Sequence, residues 1–214
     1  MSKVYVFDMD GTLIDSTSFV IEGIRTVLDR YKIKYDDDMK HRLTPLGYVK
    51  SAEYLTKEFS LAVTAEEMVE EFMEVILPLY RNDIKIDKDI KDYLFRLRAD
   101  GARIFLFTAS PHILVEANLK SGGVYEVFER VFAVDDFGLT KANPEIYSIL
   151  AEKIGVPTSS IEYFDDSLTA LRNAKASGYR THAVCDVHTM VSEDIMRSEF
   201  DEFIPSLSEY AKRH

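Results

Sequence analysis

Val4-Tyr5-Val6-Phe7-Asp8-Met9-Asp10-Gly11-Thr12-Leu13 is the stretch on which the fold turns. Its first four residues form a short, unbroken apolar run that ends abruptly in acid and glycine, the form of a parallel strand buried on both faces. Three further runs have the same form: Ile104 to Phe107, Val131 to Val134 and Ile161 to Phe164. A weaker fifth extends from Tyr179 to Val184.

Segments with helical spacing separate these runs. Ile90, Tyr93, Leu94 and Leu97 follow the i, i+3, i+4, i+7 rule and give one apolar stripe, which Asp100-Gly101 stops. Pro144 opens the next helix, with Ile146, Ile149 and Leu150 on its inner face and Gly155 with Pro157 closing it. Leu168, Leu171 and Ala174 form a third stripe before Gly178. Strands alternating with helices of this length predict an α/β fold, an open and mostly parallel sheet with helices on both faces.

After Phe7 the next clear strand begins only at Ile104, far beyond the dozen or more residues that a simple crossover needs. The intervening segment is helical in pattern. Val20, Ile24, Val27, Leu28 and Tyr31 make one stripe; Met68, Phe72, Val75, Ile76 and Leu79 make another. Residues 16–81 are therefore expected to form a small helical domain inserted into a core made of residues 1–15 and 82–214. Asp36-Asp37-Asp38 reads as a solvated loop or a helix start.

In an open parallel sheet, ligands bind outside the carboxyl ends of the strands. The residues there are Asp8-Met9-Asp10-Gly11-Thr12, Thr108-Ala109-Ser110, Asp135-Asp136 with Lys141 a little beyond, and Asp165-Asp166-Ser167. Two carboxylates about 4 Å apart in a medium of dielectric ~20 repel by roughly 4 kcal/mol, a cost that a cation removes. Oxygen-only ligands favour a hard ion, and Mg²⁺ is usual where phosphate oxygens complete its shell. Lys141 and the Thr108 hydroxyl would hold the other phosphate oxygens. The edge is suited to a phosphoryl group.

Composition narrows the classes further. The 214 residues carry a formal net charge of -11 and are 46% hydrophobic, enough apolar surface for a folded core and too much for a disordered acidic chain. The acidic balance argues against nucleic acid and anionic membranes as partners. The single cysteine, Cys185, cannot form an internal disulfide, which leaves a reducing compartment as the expectation. No secretory leader and no run of about 20 apolar residues stands out, so a cytoplasmic location is expected.

Asp8-Met9-Asp10-Gly11-Thr12-Leu13 resembles the D-x-D-G-T-L signature of the haloacid dehalogenase superfamily, at the end of the first strand, where that family places it. Thr108 matches the second motif, Lys141 the third and Asp165-Asp166 the acidic fourth, so the likeness runs the length of the chain. A helical insert directly after the first motif resembles the cap of the phosphoglycolate phosphatase-like and β-phosphoglucomutase-like branch. Two stretches depart from the common pattern. Many relatives have K-P-x-P where this chain has Lys141-Ala142-Asn143-Pro144, and G-D-x-x-x-D where it has Asp165-Asp166-Ser167 with Ala170 at the later position. An acidic pair followed by serine is also known in β-phosphoglucomutase-like members.

The resemblance implies a Rossmann-like (haloacid dehalogenase-like) core with an α-helical cap, and a Mg²⁺-dependent phosphatase acting on a small phosphorylated metabolite through an aspartyl-phosphate. Asp8 would be the nucleophile, and Asp10 the general acid and then the base. Thr108, Ala109 and Lys141 would bind phosphate. Asp8, the Asp10 backbone carbonyl and Asp166 would hold Mg²⁺, with Asp165 as a direct or outer partner.

The cap would set specificity. Arg42, Tyr48 and Lys50, flanking the break Thr44-Pro45-Leu46-Gly47, are its candidate substrate residues, with plain surface charge beside a turn as the competing explanation. A phosphomutase of the β-phosphoglucomutase kind would keep every core residue; the lack of an identifiable mutase-specific cap residue favours hydrolysis. A non-catalytic regulatory module would need none of Asp8, Asp10, Thr108, Lys141 and Asp166, and their joint presence favours an enzyme. His182-x-x-Cys185-x-x-His188 lacks a fourth ligand for zinc, and Cys185 is expected to be a small buried apolar residue.

Overall fold

The computed structural model describes residues 3–43, 46–185 and 192–214. The chain divides into two compact units, one made of Met1–Asp15 with Lys85–His214 and the other of Ser16–Ile84.

In the first unit six strands form one sheet: β1 (Val4–Phe7), β2 (Arg103–Thr108), β3 (Arg130–Ala133), β4 (Ile161–Asp165), β5 (Arg180–Val184) and β6 (Glu202–Ile204). Their order is β3-β2-β1-β4-β5-β6, and every neighbouring pair is parallel. This is the α/β architecture that the apolar runs predict. The central strand, β1, has Phe7 opposite Leu106 on one side and Phe164 on the other. From β1 the chain winds outward through β2 and β3, then returns to lay β4 on the opposite side. The β1/β4 boundary is therefore the switch point, where parallel sheets open a crevice for ligands.

Side chains alternate across the strands. Val4, Val6, Phe105, Phe107, Ile161 and Tyr163 join one core with α7 (Glu145–Ile154) and α8 (Leu168–Ala176). On the other face Phe7 and Phe164 stack with centroids 4.6 Å apart. There Tyr210, on α10 (Leu207–Arg213), meets Phe164 and Tyr93, the latter on α5 (Lys88–Ala99).

Some elements differ from the expectation, each for a local reason. The strand expected at Val131 to Val134 ends one residue earlier, because Asp136 Oδ2 accepts the Ala133 N–H at 2.9 Å and Val134–Phe137 closes as a 3-10 turn. β6 was not expected; it is three residues long and only Ile204 in it is fully buried, so its apolar signal is slight. In α7 the buried stripe is Ile146, Tyr147, Leu150, Ala151 and Ile154, and Ile149 lies only partly covered. Cys185, expected to be buried, is half-exposed at the end of β5, where its N–H bonds the Ile204 carbonyl at 2.9 Å.

The second unit is all helical: α1 (Thr17–Arg30), α2 (Asp37–Leu43), α3 (Gly47–Glu58) and α4 (Ala65–Asn82). Its core takes Val27 and Leu28 from α1, Ala52 and Leu55 from α3, and Met68, Phe72, Ile76 and Tyr80 from α4. Asp36 starts α2, its Oδ1 accepting the Met39 N–H at 3.1 Å, which makes the acidic triplet a helix start. α4 opens with a reciprocal cap: Thr64 Oγ1 accepts from the Glu67 N–H at 3.2 Å, and Glu67 Oε2 accepts from the Thr64 N–H at 2.8 Å. Thr64→Ala is expected to destabilise this unit by about 1 kcal/mol. Thermal unfolding followed by circular dichroism checks this, and Glu67→Ala should then cost less in the Thr64→Ala background than in the wild type.

Candidate active site

Alternation carries Asp8, the first residue beyond β1, onto the face shared by Val4, Val6, Phe107 and Tyr163. Its N–H donates to the Phe164 carbonyl at 2.8 Å, which continues the β1/β4 ladder one residue past the strand. The chain then turns tightly, and the Met9 carbonyl accepts from the N–H groups of Leu13 at 2.9 Å and Ile14 at 3.1 Å. Gly11 serves the turn twice over. Its φ is +82°, and a Cβ there would lie 2.7 Å from the Asp166 carboxyl carbon.

Three of the four acidic residues at the switch point come together, Asp10 bonding instead to the β2 turn. Asp8, Asp165 and Asp166 each offer a ligand atom, all within 4.8 Å of one another. Asp8 is 5% exposed and Asp165 fully buried. Lys141 Nζ reaches into the group, donating to Asp8 Oδ1 and, at 2.8 Å, to Asp165 Oδ2. Asp165 Oδ2 also accepts from the Tyr163 hydroxyl, and its Oδ1 accepts from the Ser167 N–H at 2.7 Å.

Lys141 is held from behind. The Tyr147 hydroxyl and the Asn173 amide both donate to its carbonyl at 3.1 Å, and its ammonium lies 5.1 Å from the centre of the Phe107 ring. Asn143-Pro144 leads directly into α7, so the lysine loop is tied to both α7 and α8 without the proline that many relatives place after the lysine.

Electrostatics follow from burial. Burial pushes the Asp8 carboxyl up to about 7; Lys141 opposes the rise and Asp165 adds to it. For Lys141 burial alone would weaken the charged form, but the Asp165 and Asp8 carboxylates more than reverse this and hold the ammonium above its ordinary value. Among the described residues, one ammonium beside three carboxylates leaves local negative charge, and the donors are all oxygen. This set fits a hard divalent cation, and the opening beside Gly11 leaves room for the Asp166 carboxylate next to Asp8.

β2 supplies the neutral part of the edge. Thr108 is 1% exposed, and its Oγ1 accepts from the Ser110 N–H at 3.0 Å. It thereby folds the 108–110 turn instead of capping α6 (His112–Gly122), whose N-cap is Pro111. Ala109 is exposed on this turn. Ser110 Oγ donates to Asp10 Oδ2 at 2.6 Å, joining the second aspartate to the β2 loop.

Asp135 and Asp136 do not enter the acidic group found among the described residues. Both are exposed, and Asp136 instead meets His112 Nε2 at 2.9 Å. Arg42 bonds Asp38 at 2.9 Å and the Tyr54 hydroxyl at 3.2 Å within the helical unit. Tyr48 lies against Phe72 with centroids 6.2 Å apart, and Lys50 is exposed on α3. Thr44, Pro45 and His188 lie outside the described residues. His182 is 3% exposed, with Nε2 2.5 Å from Glu162 and Nδ1 2.8 Å from Glu202, so both ring nitrogens face carboxylates.

Sequence reasoning gave no role to Tyr163, Tyr147, Asn173 or Ser110. Tyr163 had a signal, since it stands two positions before Asp165 on a strand and so shares its face. Asn173 and Tyr147 had none, because their contacts are made across the fold.

The profile of the family described as haloacid dehalogenase-like hydrolase matches residues 5–184. The chain belongs to that family. A phosphorylated carbohydrates phosphatase of Thermotoga maritima is 22% identical, over 82% of this chain and 82% of its own. A phosphoglycolate phosphatase of Colwellia psychrerythraea is 25% identical, over 82% of this chain and 80% of its own. Among solved structures, CbbY from Rhodobacter sphaeroides in complex with phosphate superposes with a TM-score of 0.83 at 21% identity, covering 98% of this chain and 96% of that one. At that identity the likeness speaks for the fold. Among the described residues no helix is long and apolar enough to cross a membrane.

Gly11→Ala would drive a methyl group into Asp166 and strain a positive φ. It is expected to weaken divalent-cation binding, measured by titration calorimetry, by about tenfold or more, the scale of a displaced support residue.

Proposed function

We propose that this protein hydrolyses a small phosphomonoester at the Asp8 edge through an aspartyl-phosphate. The coarse class follows from the family and its named phosphatase relatives: the chain is a phosphoric monoester hydrolase. The observation that carries the finer assignment is the buried Asp8 carboxylate at the switch point, bonded to Lys141 and flanked by Asp165 and Asp166.

Asp8 attacks phosphorus in line with the leaving oxygen; the new bond joins its carboxylate to phosphorus, and the ester P–O bond breaks. Asp10 gives its proton to the departing oxygen, so a neutral alcohol leaves. In the second half Asp10 takes a proton from water, whose oxygen attacks the same phosphorus, and Asp8 is released with inorganic phosphate. Lys141 favours the ionised form of Asp8 before attack and attracts the phosphoryl oxygens once they arrive. The Thr108 hydroxyl, whose oxygen already accepts from Ser110, keeps its own O–H to donate to the phosphoryl group, and Ala109 offers backbone beside it.

Mg²⁺ is the cation that the acidic group suits; Asp8, Asp166 and the Asp10 carbonyl would hold it, with Asp165 behind them, and it would supply neutralisation of phosphoryl charge. Asp165 is bonded to Lys141, Tyr163 and Ser167, and Asp166 lies beside Asp8 across the Gly11 turn. The phosphorylated carbohydrates phosphatase among the relatives supports a sugar phosphate as the class to try first, and the phosphatase names support hydrolysis over isomerisation. We also assign substrate choice to the helical unit, with Arg42, Tyr48 and Lys50 as its candidates.

Phosphate release from an aryl phosphate and a panel of sugar phosphates is expected to require Mg²⁺ and to stop with a chelator. Asp8→Asn should lose at least about 10³-fold in turnover. Full activity in that variant, or no release across the panel, contradicts the assignment.

A further inference from the structure

Ser110 stands in the turn after β2, 100 positions from Asp10 in sequence, yet its hydroxyl donates to Asp10 Oδ2 at 2.6 Å. The serine is itself fixed, because its N–H donates to the buried Thr108 Oγ1 at 3.0 Å. We propose that Ser110 is a positioning residue for Asp10, holding one carboxyl oxygen in place through both halves of the reaction. This rests on the assignment of Asp10 as the proton carrier.

The residue type suits the task. Under the proposed function Asp10 gives a proton to the leaving oxygen in the first half and takes one from water in the second. A carboxylate needs a donor beside it, and a carboxylic acid can use an acceptor. A hydroxyl supplies both by rotation about one bond, whereas an ammonium, a guanidinium or a backbone N–H only donates. Alanine at this position would remove this tether from the Asp10 side chain. The tether also links two strand ends, so the β2 turn that presents Thr108 to the phosphoryl group aims the acid at the leaving oxygen.

The consequence is a dependence on the leaving group. Protonation matters most for an alkoxide and least for an acidic phenol. The value of kcat/KM reports events up to departure of the first product and is blind to hydrolysis of the phosphoenzyme, so it isolates the acid step. Ser110→Ala is expected to lower kcat/KM on an alkyl phosphate by about tenfold, a fraction of the 10²–10⁴ typical of a whole general acid, and on p-nitrophenyl phosphate by about threefold or less. Ser110→Thr, which keeps the hydroxyl, should recover most of the alkyl phosphate rate.

Asp10→Asn, run alongside, should split the two substrates by a larger factor. If it splits them but Ser110→Ala lowers both equally, through a raised KM, Ser110 contacts substrate and the positioning role is overturned. A Ser110→Ala enzyme indistinguishable from wild type overturns it too. If Asp10→Asn fails to split the substrates, the acid assignment falls and this role falls with it.

Discussion

The interaction on which the site depends is the bond from Lys141 to both Asp8 and Asp165, at the one place where the sheet reverses its winding. Three carboxylates cannot be brought to a buried edge without compensation, and removing one partner of a buried ion pair costs about 3–5 kcal/mol. Lys141 supplies part of the compensation. The remaining negative charge suits the edge to a cation, and under the proposed function that cation would make it acceptable to phosphate. An acidic protein with a formal net charge of -11 would in this way accept an anionic substrate.

Around that bond the fold acts mostly as support. Phe107 and Tyr163 set an aromatic floor beneath the lysine, and Tyr147 with Asn173 ties its carbonyl to the helices behind. Parallel pairing fixes the height of each strand end, so Asp8 and Asp165 lie at one level, with Thr108 one residue further along, without any covalent link between their loops. Gly11 is the point of least tolerance, because the turn after Asp8 and the Asp166 carboxylate claim the same space.

Much of this was legible in the residues. Buried parallel strands carry continuous apolar runs, and the charges that end them cannot lie within the core, so Asp8 and Asp165-Asp166 were readable as rim residues from pattern alone. The edge strand β6 was not, because a three-residue strand with one fully buried side chain has almost no period to read. Asp135 and Asp136 followed the same rule as the others, yet the 3-10 turn after β3 spends Asp136 on the Ala133 N–H and on His112. Contacts between distant segments, Ser110 with Asp10 and Asn173 with the Lys141 loop, depend on the folded register and leave no local signature.

The Asp8 edge is proposed to accept a phosphoryl group only in company with a divalent cation. Beryllofluoride, which bonds to a carboxylate as a phosphoryl mimic, tests this by fluorine nuclear magnetic resonance on the whole chain. With Mg²⁺ present a bound signal should appear in the wild type and be absent in Asp8→Asn; with a chelator it should vanish from the wild type. A bound signal that persists without divalent cation, or that survives Asp8→Asn, would contradict the account.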